Sequence, residues 1–95
     1  MRFTYNDTFL TKDKSEDEIT NIENEAIREV NLQSTTNDFY FEKLVTCLVY
    51  MELCKEQFED ESVRKKYDVY KDEFKKYSLL SSTQTPPHNA QIYRG

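Results

Sequence analysis

The sequence predicts an all-α fold: a small three-helix bundle with an extended N-terminal arm and an extended C-terminal tail. Three observations carry this. Apolar residues recur at helical spacing within 15–33 and again within 60–77. Between them, 13 of the 21 residues from Asp38 to Phe58 are apolar or aromatic. The only glycine is Gly95 and the only prolines are Pro86 and Pro87, so no strong breaker interrupts a helix before the tail. Ninety-five residues make one domain, divided here into an arm (1–14), a helical body (15–77) and a tail (78–95). A chain of this size buries roughly 60–65% of its unfolded surface, enough to fold with little to spare.

The arm carries Phe3, Tyr5, Phe9 and Leu10 among polar residues that break any long period. Phe9 and Leu10 are expected to cover one end of the helical core. The alternative use of the arm is to grip a partner.

The first helix, about 15–33, opens on a capping box. The Ser15 hydroxyl accepts from the third backbone N–H, and Glu18 reaches back to the cap's own N–H. Acids in the first turn suit the helix dipole. Ile19, Ile22, Ala26, Ile27 and Val30 form the apolar face, with Ile19, Ile22, Ala26 and Val30 in the predicted core. Glu23, Glu25 and Glu29 are placed on the opposite, solvated face. Residues 34–37 read as a turn.

The second helix, about 38–58, takes Asp38 as its cap. It is apolar round most of its circumference, so it is expected to be buried and central. Leu44, Leu48 and Met51 are its core residues. Two neighbours do not use all this apolar surface, and the surplus points to a third contact from another subunit. Cys47 and Cys54 lie seven residues apart on this helix, about 10 Å by helical rise, too far for a disulfide within it. They read as buried thiols.

The third helix, about 60–77, steps Val63, Tyr67, Tyr70, Phe74, Tyr77 at a 3.5-residue period. Val63 and Phe74 join the predicted core. Arg64, Lys65, Lys66, Lys71, Lys75 and Lys76 flank the seam. Residues 78–95 then show no helical period and one charge, Arg94, against thirty in the residues before them. Such a segment does not fold alone. Thr85, Pro86, Pro87, His88, Ile92, Tyr93 and Arg94 are the residues expected to dock on a partner.

No constellation points to catalysis, and none is expected. The one histidine, His88, sits beside a proline pair in the tail, a poor platform for a relay. No short Cys-x-x-Cys spacing exists, so neither a metal nor any other cofactor is expected. The net charge of −5 disfavours general nucleic-acid binding. A patch on the third helix (Arg64, Lys65, Lys71, Tyr67, Tyr70) is diluted by Asp60, Glu61, Asp68, Asp72 and Glu73. The N-terminus has no apolar segment of signal-peptide type. No run approaches the roughly 20 apolar residues of a membrane span, so no membrane partner is expected.

The order of these elements resembles the small head–tail connector, or head-completion adaptor, proteins of tailed bacteriophages. The likeness runs through the capped acidic helix (Ile19, Ile22, Ala26, Ile27), the long apolar helix (Leu48-Val49-Tyr50-Met51), the Tyr-rich helix (Val63-Arg64-Lys65-Lys66-Tyr67) and the extended tail. It implies a homo-oligomeric ring, commonly of about twelve copies with cyclic symmetry. The ring sits beneath the portal in the virion neck, is assembled in the host cytoplasm and contacts further neck or tail proteins. The C-terminal tail clamps the portal protein, and DNA passes through the channel without specific binding. The acidic first helix and more basic third helix then suit a head-to-tail subunit contact through Glu23, Glu25, Glu29, Lys65, Lys71, Tyr67 and Tyr70. Ser34–Asn37 is shorter than the loop of many such proteins, which leaves insertion into a neighbour to the N-terminal arm. The alternative reading is a small helical protein-binding module, such as a phage-encoded inhibitor of a host protein.

Overall fold

A computed structural model describes residues 1–32 and 37–83. It is helical, with four helices and no strand among the described residues: α1 (Thr8–Thr11), α2 (Glu16–Asn31), α3 (Asp38–Lys55) and α4 (Glu61–Thr83). The expected turn at Ser34–Thr36 and the docking residues Thr85–Arg94 lie outside the described residues.

Local chemistry sets the helix ends. The arm is not wholly extended, because Asp7 caps a single turn, α1, by accepting from the Leu10 N–H. Before α2, Ser15 Oγ accepts from Glu18 N at 3.2 Å and Glu18 Oε1 accepts from Ser15 N at 2.9 Å, the predicted capping box. The cap of α3 is Asn37, one residue before the expected Asp38. Its Oδ1 accepts from the N–H groups of Phe39 and Tyr40, which leaves Asp38 in the first turn beside the positive end of the dipole. Helix α3 ends at Lys55 and not Phe58, and residues 56–60 form a turn closed by Gln57 N to Cys54 O and Asp60 N to Gln57 O.

Helix α4 runs six residues past the expected end at Tyr77. Ser78 to Thr83 have modest helix propensity, but extending an existing helix adds one hydrogen bond per residue fixed and needs no new nucleus. The proline pair that must stop it stands three residues further on. Among the described residues the helical body therefore reaches Thr83, past the expected boundary at Tyr77.

Helix α3 is central, packing most extensively on α4, then on α2, and also on α1. Helix α4 runs antiparallel to it: Tyr77 meets Phe39 and Tyr40 at one end, and Tyr70 stacks on Tyr50 further along. Leu10, Ile19, Ala26, Val30, Leu44, Val45, Val49, Leu53, Cys54 and Val63 form one buried cluster. Of the predicted core, Ile19, Ala26, Val30, Leu44 and Val63 are buried. Ile22, Leu48, Met51 and Phe74 are only half-buried. The first three flank the α2–α3 seam, which no third element covers among the described residues.

Candidate protein-binding surfaces

Two features stand out on this body: an arm fully engaged with its own helices, and a groove left open between α2 and α3. The arm is tied at four points. Glu23, on α2, is 1% exposed. Its carboxylate accepts from Arg2 N at 2.6 Å, Phe3 N at 3.0 Å and the Tyr5 hydroxyl at 2.6 Å. The Tyr50 hydroxyl, on α3, accepts from Asn6 N and Asp7 N. Asp7 accepts from Lys66 Nζ at 2.9 Å and from the Tyr70 hydroxyl at 2.8 Å, both on α4. Lys14 pairs with Glu56 in the turn after α3. Ring contacts fill the gaps: Phe3 meets Phe41 edge-on and Tyr5 meets Tyr50 at 5.6 Å. The arm thus bridges α2, α3 and α4, and Leu10 enters the core as expected. It is bound along its own body.

Both latch carboxylates are held ionised. Burial pushes the Glu23 carboxyl up, but the Tyr5 hydroxyl and the N–H groups of Arg2 and Phe3 outweigh it, so the net shift is below the ordinary value. Asp7 follows the same pattern: burial raises it, and Lys66, Tyr70 and the Leu10 N–H bring it down. A buried carboxylate is tolerable only when its lone pairs are satisfied in this way. The phenols of Tyr5 and Tyr70 are pushed far up, first by burial and then by the carboxylates that they bond.

Glu23 therefore does not belong to the solvated face or to a subunit contact. The sequence carried a signal for this: Ile19, Glu23, Ala26 and Val30 step 4, 3, 4, so Glu23 stands on the inward stripe. Tyr70 is likewise engaged within the chain, and Tyr67 packs edge-on against Phe58 at 5.3 Å. Glu25, Glu29, Lys65 and Lys71 are exposed. Nothing local marked Asp7 as the partner of Lys66 and Tyr70, roughly sixty residues away in sequence.

The groove, of about 440 Å³, is lined from α2 by Ile22, Glu25, Ala26 and Glu29 and from α3 by Leu48, Met51, Glu52 and Lys55. Both sets follow helical spacing, so each is one stripe on its helix. Ile22, Ala26, Leu48 and Met51 form an apolar floor. Three carboxylates stand at the rim with one lysine, Lys55, which pairs with Glu52 at 3.0 Å. Glu25 pairs with Arg28 along the surface of α2.

The two cysteines are buried and free, on α3. Burial, then Glu73, pushes the Cys47 thiol up to about 12; burial, then Asp7, pushes Cys54 up to about 11. Neither is a nucleophile near neutral pH. Among the described residues, no group of His, Cys, Asp and Glu is placed to hold a metal ion, and no helix is long and apolar enough to cross a membrane. Comparison with protein-family models, with curated proteins and with solved structures found no match.

Proposed function

We propose that this chain is a structural, protein-binding subunit that works by assembly and not by catalysis. In its most concrete form it is a ring subunit of a phage neck, joining the portal to the tail and forming part of the DNA channel. That form rests on the likeness to head–tail connector proteins. The observation that carries the broader reading is the open α2–α3 groove. Apolar side chains there keep partial contact with water although the chain's own arm is fully engaged elsewhere, and uncovered apolar surface with a polar rim suits a protein contact. Further support comes from the buried Glu23 and the partly buried Asp7, carboxylates whose hydrogen-bond partners among the described residues all belong to the fold. The excess of acid, −5 over the chain, suits a channel wall that DNA slides past without adhesion.

In the neck reading, residues 84–95 reach the portal, with Pro86, Pro87, Ile92 and Tyr93 docking. The test is to mix the purified full chain with the portal protein encoded beside it and to measure mass by light scattering. A large common complex is expected. A monomer that ignores the portal would remove the neck assignment, and a one-to-one complex with a host protein would put the inhibitor reading in its place.

A further inference from the structure

We propose that the chain's own Ile92, Tyr93 and Arg94 fill the α2–α3 groove, so that the C-terminal segment and the groove cover each other until a partner takes one of them. What each binds once they part rests on the protein-binding reading above. The contact itself is a property of the isolated chain.

The groove sets narrow terms. Its floor is apolar, from Ile22, Ala26, Leu48 and Met51. Most of its rim charges are already paired, Glu52 with Lys55 at 3.0 Å and Glu25 with Arg28 at 2.7 Å. Glu29 is the rim carboxylate left without an ion pair among the described residues. The occupant that fits is a short apolar segment with one cation, because each further charge would give up water without gaining a partner.

One stretch of the chain has that chemistry. The arm is already used on Glu23, Tyr50 and α4. The solvent side of α4 carries charges of both signs. Two stretches lie outside the described residues, 33–36 and 84–95. The first is Gln33, Ser34, Thr35 and Thr36, with no apolar side chain. The second holds Ile92 and Tyr93, followed at once by Arg94, the one charged side chain of the segment. A single cation thus stands beside the apolar pair, where the groove offers a single unpaired carboxylate.

The segment is long enough. Tyr77 lies beside Phe39 and Tyr40. From that level α4 rises about 9 Å further to Thr83, and α3 runs about 12 Å the other way from Tyr40 to Leu48. The return is therefore about 21 Å along the bundle, with a sideways step of about 10 Å, one interhelical spacing. From Thr83 to Ile92 the extended chain spans about 30 Å. Pro86 and Pro87 favour the extended form. Nor does the arm stand in the way: Glu23, which holds it, faces away from the stripe of Ile22, Glu25 and Glu29.

A nitroxide on the full chain tests this. Cys47 and Cys54 are buried, so Asn89→Cys supplies one accessible thiol for the label. With carbon-13 methyl labels on methionine, the Met51 signal is expected to broaden strongly and to recover when the nitroxide is reduced, while Met1, on the arm, changes little. Adding Ile92→Asp is expected to abolish the broadening. Arg94→Glu and Glu29→Lys are each expected to weaken it, and the two together to restore it. Far-UV circular dichroism checks that each variant is folded. A Met51 signal indifferent to the nitroxide would overturn the proposal, and so would a charge-swapped pair that restores nothing. Isotope-labelled chain without nitroxide, mixed with unlabelled chain carrying it, is expected to show no broadening; broadening there would make the segment of a second copy the occupant and overturn the contact within one chain. The protein-binding reading is judged separately, by mass with the portal partner. A chain that assembles without the Met51 effect overturns this contact alone. A chain that shows the effect and ignores the portal upholds the contact and removes the neck assignment.

Discussion

Replacing Glu23 with glutamine keeps the shape of a side chain that is 1% exposed and removes its charge. The carboxylate accepts three bonds from the arm, from Arg2 N, Phe3 N and the Tyr5 hydroxyl. A bond to a charged acceptor contributes about 1.5–3 kcal/mol and a neutral one about 0.5–1.5 kcal/mol, so each surviving bond loses about 1 kcal/mol. The amide has one oxygen for these donors, and its NH2 group must face one of them. With Oε2 retained as the acceptor for Phe3 and Tyr5, the Arg2 N–H loses its partner and turns to water, since Arg2 is exposed. The two surviving bonds alone lose about 2–3 kcal/mol of arm docking, and the broken Arg2 bond adds to this. Leu10 lies in the main core, so the arm is coupled to the body, and that loss corresponds to a fall in melting temperature of roughly 8–24 °C for a domain of this size. Hydrogen exchange gives a local readout. The amides of Phe3, Asn6 and Asp7 donate to the latch, and their protection is expected to drop roughly 30- to 140-fold. Glu25→Gln is the control, because its side chain is 71% exposed and its expected effect lies within about 0.5 kcal/mol. If Glu23→Gln matched this control in melting temperature and in exchange, the latch would not hold the arm and the argument would fail.

The other latch carboxylate should couple to its partner: Asp7→Asn and Tyr70→Phe, measured singly and together in urea, are expected to show about 1 kcal/mol of interaction, and simple additivity would contradict the 2.8 Å bond. Stability should also depend on pH in one direction. The folded-state pKa values of Glu23 and Asp7 lie below the ordinary carboxylate range, so their contribution is complete above that range, near pH 4, and is lost as pH falls through the lowered values. The urea midpoint is expected to stay flat from neutrality to about pH 5 and to fall below about pH 4, less steeply in an Asp7→Asn, Glu23→Gln double variant. A midpoint that rises on acidification would have the wrong sign. Finally, Cys47 and Cys54 should resist iodoacetamide near pH 8 in the folded protein and react fully in denaturant; rapid modification of the native form would show that α4 leaves α3.

Helix positions were legible because the cues for them are local. The Ser15–Glu18 capping box and the aromatic seam of α4 lie within a few residues of what they determine, and both are found as read. The centrality of α3 also followed from its composition, since a helix apolar on most sides must be enclosed. What escaped was non-local or cooperative. Helix α4 continues through Ser78–Thr83 because an established helix extends more readily than isolated propensity suggests. The arm's fate depends on Tyr50, Lys66 and Tyr70, far along the chain, and no spacing rule pairs them with Asp7. Glu23 was misplaced for a different reason: its charge was given more weight than its position on the inward stripe. The groove was half legible. The apolar surplus of the central helix was visible, but that α2 leaves Leu48 and Met51 partly open depends on how the helices sit together.

The chain's two methionines give the most direct test that the groove is a protein-contact surface. Met51 lines the groove and Met1 lies on the arm. With carbon-13 methyl labels, each gives one NMR signal in the full chain. As the complex forms, by self-association or by addition of the portal partner, the Met51 methyl signal is expected to shift or broaden while the Met1 signal stays in place. A Met51 signal unchanged under conditions where light scattering shows the complex fully formed would contradict the account.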